Sequence, residues 1–172
     1  RISMVSKEVE KLLLKVQKPG RYVGGELNEV IKDKKKVDFR FAFCFPDTYE
    51  VGMSHLGMKI LYSLMNAVPY IWCERVFAPW VDMEEEMIKH NIPLYALESG
   101  DPVSDFDFIG FTLQYELSFT NMLNMLRLSG VPIKSCDRKE LKNIVVAGGP
   151  CVCNPEPIAD FIDLFFIGEG EE

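Results

Sequence analysis

One stretch, from Phe39 to Met58, constrains the fold more than any other. An aromatic run, Phe39-Arg40-Phe41-Ala42-Phe43-Cys44-Phe45, breaks at Pro46-Asp47, and apolar residues return in Gly52-Met53-Ser54-His55-Leu56-Gly57. Aromatics bounded by a proline and an aspartate predict a strand. Met53, Leu56, Ile60, Leu61 and Leu64 fall on one face at the 3.6-residue period, which predicts a helix after the loop at Asp47 to Ser54. In an open parallel sheet, ligands bind where a loop leaves the carboxyl end of a strand and enters a helix.

The rest of the chain repeats the alternation. Ile71 to Phe77 predicts a second strand, Asp82 to His90 a helix with Asp82 and Glu84-Glu85-Glu86 at its positive end, and Leu94 to Leu97 a short edge strand. The continuously apolar Phe108-Ile109-Gly110-Phe111-Thr112-Leu113 has the character of a parallel strand buried on both faces. A helix over Ser118 to Ser129, a strand over Asn143 to Ala147, a helical turn over Pro157 to Phe161 and a last strand over Leu164 to Ile167 follow. This pattern predicts an α/β fold, a doubly wound, mainly parallel sheet of five or six strands with helices on both faces. The loops at Asp47 to Ser54, Gln114 to Glu116 and Gly148 to Glu156 then share one sheet edge.

Composition sets the outer bounds. The chain has 172 residues, is 48% hydrophobic and has a mean hydropathy of +0.02, enough to bury a core. No apolar run reaches the ~18 residues of a membrane span, and the first residues do not read as a signal peptide, so the expected location is the cytosol. Five cysteines are read as reduced thiols. The net charge of −7 conceals a split, because residues 1 to 36 carry ten basic against five acidic residues and the remainder nine against twenty-one. The sign changes where the first strand begins. Residues 1 to 36 are therefore read as an N-terminal helix, an extended arm and a basic linker, and 37 to 172 as the domain proper. An acidic domain has no basic face for nucleic acid.

Asp47-Thr48-Tyr49-Glu50-Val51-Gly52 has the residue order of the Asp-x-His-x-x-Gly loop of cobalamin-binding domains, with Tyr49 where the cobalt-ligating histidine would stand. Gly110-Phe111-Thr112-Leu113-Gln114 is similar to the element closing their third strand, and Ala147-Gly148-Gly149-Pro150 to their Gly-Gly element. Taken with Gly52-Met53-Ser54-x-Leu56-Gly57, Gln114-Tyr115-Glu116 and the sequences Asn154-Pro155-Glu156-Pro157, Gly168-Glu169-Gly170-Glu171 and Gly20-Arg21-Tyr22-x-Gly24-Gly25-Glu26, the chain resembles the N-terminal, cobalamin-binding-type (Rossmann-like) domain of a radical S-adenosylmethionine protein family of uncharacterised activity; His55, three residues beyond Gly52, is placed to reach the same edge.

The resemblance implies a cofactor-binding accessory domain that ends just before a radical domain, its partner in the same chain. S-adenosylmethionine and the [4Fe-4S] cluster would belong to that downstream domain. Cobalamin, if bound, would be base-off, since Tyr49 replaces the histidine. The site would comprise Asp47, Tyr49, Gly52, Ser54, His55, Thr112, Gln114, Glu116, Gly148, Gly149 and Pro150. The alternative reading is a domain that keeps the fold without cobalamin and serves as structure or docking surface. Three cysteines spaced Cys-x-x-x-Cys-x-x-Cys, which a radical cluster needs, do not occur, and Cys151-x-Cys153 is too tightly spaced for a zinc knuckle. Glu116, Glu156 and Glu169 have no partner group at a defined spacing, so no catalytic residue is assigned in this chain.

Overall fold

The computed structural model describes residues 6–168. The N-terminal helix expected from residue 3 and the Gly-Glu-Gly-Glu sequence at 168–171 lie partly outside that range. Five parallel strands form one sheet in the order β2-β1-β3-β4-β5, with β1 at Phe39–Phe45, β2 at Ile71–Phe77, β3 at Phe108–Thr112, β4 at Ile144–Gly148 and β5 at Leu164–Phe165. The expected doubly wound α/β fold is observed. The order reverses between β1 and β3, so the Phe39–Phe45 strand lies at the switch point, while β3 is the geometric centre.

Among the described residues, five α-helices flank the sheet: α1 (Lys7–Leu13), α2 (Tyr49–Ser54), α3 (Leu56–Ala67), α4 (Val81–His90) and α5 (Ser118–Leu128). One sheet face packs Ala42, Cys44, Ile109, Phe111 and Val145 against Met83 and Met87 of α4 and Met122, Met125 and Leu126 of α5. Val9 and Leu12 of α1, with Val16 and Tyr22 of the following segment, join this same cluster. The acidic start of α4 is more than a solvated helix end. Asp82 accepts from the Gln17 amide (2.8 Å), Glu86 pairs with Lys15 (2.6 Å), and Glu84 pairs with Arg127 (2.9 Å), tying α4 to the arm and to α5.

Two local expectations change. The predicted loop over Asp47 to Ser54 is mostly the helix α2, and a separate helix starts at Leu56 because His55 accepts from the Met58 amide through Nδ1 (3.2 Å) as its cap. The break resets the helical phase, so Met58, Tyr62 and Asn66 are the buried residues of α3 while Leu56 (69% exposed) and Leu64 (44%) face outward. The Leu94 to Leu97 segment is no strand. It meets β2 through a single backbone bond, Leu97 N–H to the Arg75 carbonyl (2.9 Å), and bridges back from Tyr95 to Pro102.

Strand β2 is an edge, and side chains close it. The Asn66 amide donates to the Cys73 carbonyl (3.0 Å) and accepts from its N–H (3.1 Å), while Glu98 accepts the Arg75 N–H (2.7 Å). The outward backbone groups of Cys73 and Arg75, in the middle of the strand, are thus satisfied within the chain.

Candidate functional site

The three loops expected on one edge do converge there. Pro46-Asp47-Thr48 leaves β1, Leu113 to Leu117 leaves β3, and Gly149-Pro150 leaves β4. The loops are stitched to one another. Leu113 N–H donates to the Gly148 carbonyl (2.8 Å), Cys151 N–H to the Leu113 carbonyl (3.2 Å), and the Asn121 amide to the Pro46 carbonyl (3.1 Å).

Between β1 and β3, where a ligand of a doubly wound sheet would enter, the crevice is closed. The Tyr115 hydroxyl donates to Asp47 Oδ2 (2.6 Å) across it, and Asp47 Oδ1 accepts from the Thr48 amide (2.7 Å). That bond to Asp47 is the first cause raising the Tyr115 pKa above the ordinary phenol range. Gln114 turns back to donate to the Thr112 hydroxyl (2.8 Å). The crevice lined by Phe45, Asp47, Thr112, Gln114, Tyr115 and Ser118 encloses about 0 Å³.

Of the predicted site residues, Asp47, Thr112 and Gln114 are brought together here. The Gly149 backbone packs beside them, where an added Cβ would stand 2.7 Å from the Leu113 carbonyl oxygen, and φ is +99°. Close packing of one loop on the next thus requires the glycine. Gly148 and Pro150 flank it, and Glu116 is exposed beyond the crevice. The others point elsewhere. Tyr49 leaves the edge, its hydroxyl donating to Glu26 Oε1 (2.9 Å) and its ring meeting Phe77 edge-on at 5.5 Å. Gly52 lies under Phe77, whose ring leaves no space for a Cβ. The Ser54 hydroxyl donates to the Val51 carbonyl (2.7 Å) within α2, and His55 caps α3 with its ring 5.3 Å from that of Phe45.

A polar cluster that the sequence reading missed lies behind α2. Arg75, 5% exposed on the sheet edge, donates Nε to Glu98 Oε1 (2.6 Å) and Nη2 to Glu26 Oε2 (2.9 Å), and its guanidinium stacks 4.8 Å from the Tyr62 ring. Burial pushes the Glu98 carboxyl up to about 7 against the opposing pull of Arg75. The only sequence signal was a Glu-Arg pair inside an otherwise apolar strand. A cavity of about 520 Å³ opens beside it, lined among others by Glu26, Val30, Met53, Tyr62 and Arg75. Glu26 and Arg75 on its wall are paired with each other within the cluster, and among the described residues no buried side-chain nitrogen or oxygen lacks a partner.

A cobalamin fit can be tested on these contacts. A corrin ring and nucleotide tail need an open groove at the switch point, whereas the exposed Asp47–Tyr115 bond spans the mouth of the crevice and Gly149 packs closely on Leu113. The residues at this edge, as they stand, do not fit the group. Among the described residues, no group of three His, Cys, Asp or Glu side chains could hold a metal ion, and no helix is long and apolar enough to cross a membrane.

Strand order and loop convergence define a doubly wound α/β domain. The family described as "Radical SAM proteins, N-terminal" matches residues 57–172, and the chain belongs to that family. An uncharacterized protein of Methanocaldococcus jannaschii is 42% identical over 131 residues, which make up 76% of this chain and 24% of that protein. The chain thus spans about a quarter of that relative's length. It is an accessory domain of a radical S-adenosylmethionine protein, a family in which S-adenosylmethionine and a [4Fe-4S] cluster belong to the catalytic domain.

Proposed function

We propose that this domain serves its radical S-adenosylmethionine protein as a cobalamin-free structural and docking domain, with residues 37–172 as the Rossmann-like unit and residues 1–36 as an N-terminal helix and linker, of which Val9, Leu12, Val16 and Tyr22 pack into its core. The observation that carries the reading is the Tyr115 hydroxyl on Asp47 across the switch-point crevice, which leaves about 0 Å³ where a cofactor would enter. Supporting it, the residue at the usual histidine position, Tyr49, is engaged with Glu26 and turned from the edge, and packing against Leu113 accounts for Gly149 without a nucleotide. The radical chemistry and its substrate then lie with the catalytic domain, which this domain braces.

The test is titration of the full-length protein with hydroxocobalamin, following the corrin absorption and co-elution on gel filtration. The expected result is no spectral shift and no retained corrin at high micromolar concentration. Stoichiometric retention with a shifted spectrum overturns the proposal.

A further inference from the structure

The two faces of the sheet are unequally covered. One lies under α1, α4 and α5. On the other, α3 covers β1 and β2 by setting Met58 and Tyr62 against Phe43, Phe45 and Cys73, and stops there. Over β4 and β5, and at Phe108 of β3, no helix covers this second face among the described residues. The register Phe41↔Phe108, Phe108↔Ile144 and Val146↔Leu164 puts these side chains on that one face. Leu164 is 56% exposed, Phe166 52% and Phe39 46%, and Ile144 and Val146 are half-buried. Phe108 stacks on Phe41 (6.2 Å) and meets Phe39 edge-on (6.1 Å), so the bare strip runs continuously into the packed half. Parallel sheets are ordinarily covered on both faces, and an apolar strip of this kind marks an interaction surface.

We propose that an amphipathic α-helix of the polypeptide that continues beyond β5 in the longer protein packs on this strip. Three observations select that occupant. Right-handed crossovers place the helix of a step from β1 to β2 on one face and the helices of steps in the opposite direction on the other, as α3 against α4 and α5 show. A helix leaving β5 and returning across the sheet travels in the β1-to-β2 direction, and so lands on the face of α3. Next, three strands about 4.8 Å apart span roughly 10 Å, the axial spacing of a second helix laid beside α3. Finally, the 131 residues matched in the M. jannaschii relative are 24% of its length, so proteins of this family have polypeptide to supply the helix. The strip carries no charge, so the helix would present an aliphatic or aromatic stripe at i, i+3, i+4 and i+7 with a polar opposite side.

The test uses the full-length protein with a photoreactive benzophenone amino acid in place of Leu164, on the edge strand β5. The expected crosslink falls within roughly 30 residues after residue 172, the length of a short connection plus one helix. A crosslink to a second copy, to a more distant part of the chain or to nothing overturns the proposal. A second variant, Phe166→Asp, is read by thermal unfolding of the full-length protein. If the strip is covered, the midpoint falls by about 4 °C or more, whereas an unchanged midpoint means that position 166 faces water and the helix is absent.

Discussion

Glu98 is a carboxyl with almost no access to water, held by the Arg75 backbone N–H and by its guanidinium. Desolvation outweighs the guanidinium and lifts its pKa to about 7, against an ordinary value of 4.5. Between these two values the native state holds a proton that the unfolded chain has released, so stability falls as pH rises from about 4.5 to 7. Urea midpoints at pH 5 and pH 8 are expected to show the decline, and Glu98→Gln is expected to flatten most of it. A shallower slope remains from Glu74, whose carboxyl burial also raises although Arg40 opposes it. An unchanged slope in the variant would mean that Glu98 is charged throughout. Neither Glu98 nor Glu26, the other carboxylate on Arg75, was a candidate site residue in the sequence, because only the fold brings the two loops to Arg75.

At the scale of the element, β2 shows how an edge strand is kept from recruiting another. Asn66 on α3 lies seven residues before Cys73 and meets both of its backbone groups with one amide. Asn66→Ala leaves a buried donor and acceptor unpaired, at a cost of about 2–4 kcal/mol, measurable by urea denaturation. Asn66→Asp is expected to cost at least as much, since a carboxylate oxygen would face the Cys73 carbonyl. The elements themselves were largely legible: the period-2 aromatics of β1, the apolar run of β3 and the helices α4 and α5 all lie where the pattern puts them. The helix after β1 was misread in phase. A single uninterrupted period through Met53, Leu56 and Leu64 ignored that His55 can end one helix and cap the next, and the reset turned Leu56 and Leu64 outward.

For the whole molecule, the arm and the sheet share one core. Leu12 of α1 is 2% exposed within the cluster that includes Met83 and Met87 of α4. Leu12→Ala is therefore expected to cost about 2–5 kcal/mol in global stability, with one unfolding transition by far-ultraviolet circular dichroism and by tryptophan fluorescence. Two separated transitions would instead show that the first helix unfolds independently.

The sequence by itself determined the class of fold and the edge on which its loops converge, because strand and helix periods, and the short crossovers between them, are local properties of the chain. It also carried the resemblance to radical S-adenosylmethionine proteins, since motif order and spacing survive without coordinates. Whether the Asp47 loop is an open wall or a closed one depended on a bond to Tyr115, 68 residues away, and on which way Tyr49 turned. Side-chain direction across such a separation is set by packing, which no local pattern encodes. The loop between Phe39 and Met58 is thus, by its sequence, the place where a ligand could sit, and tertiary structure alone filled it.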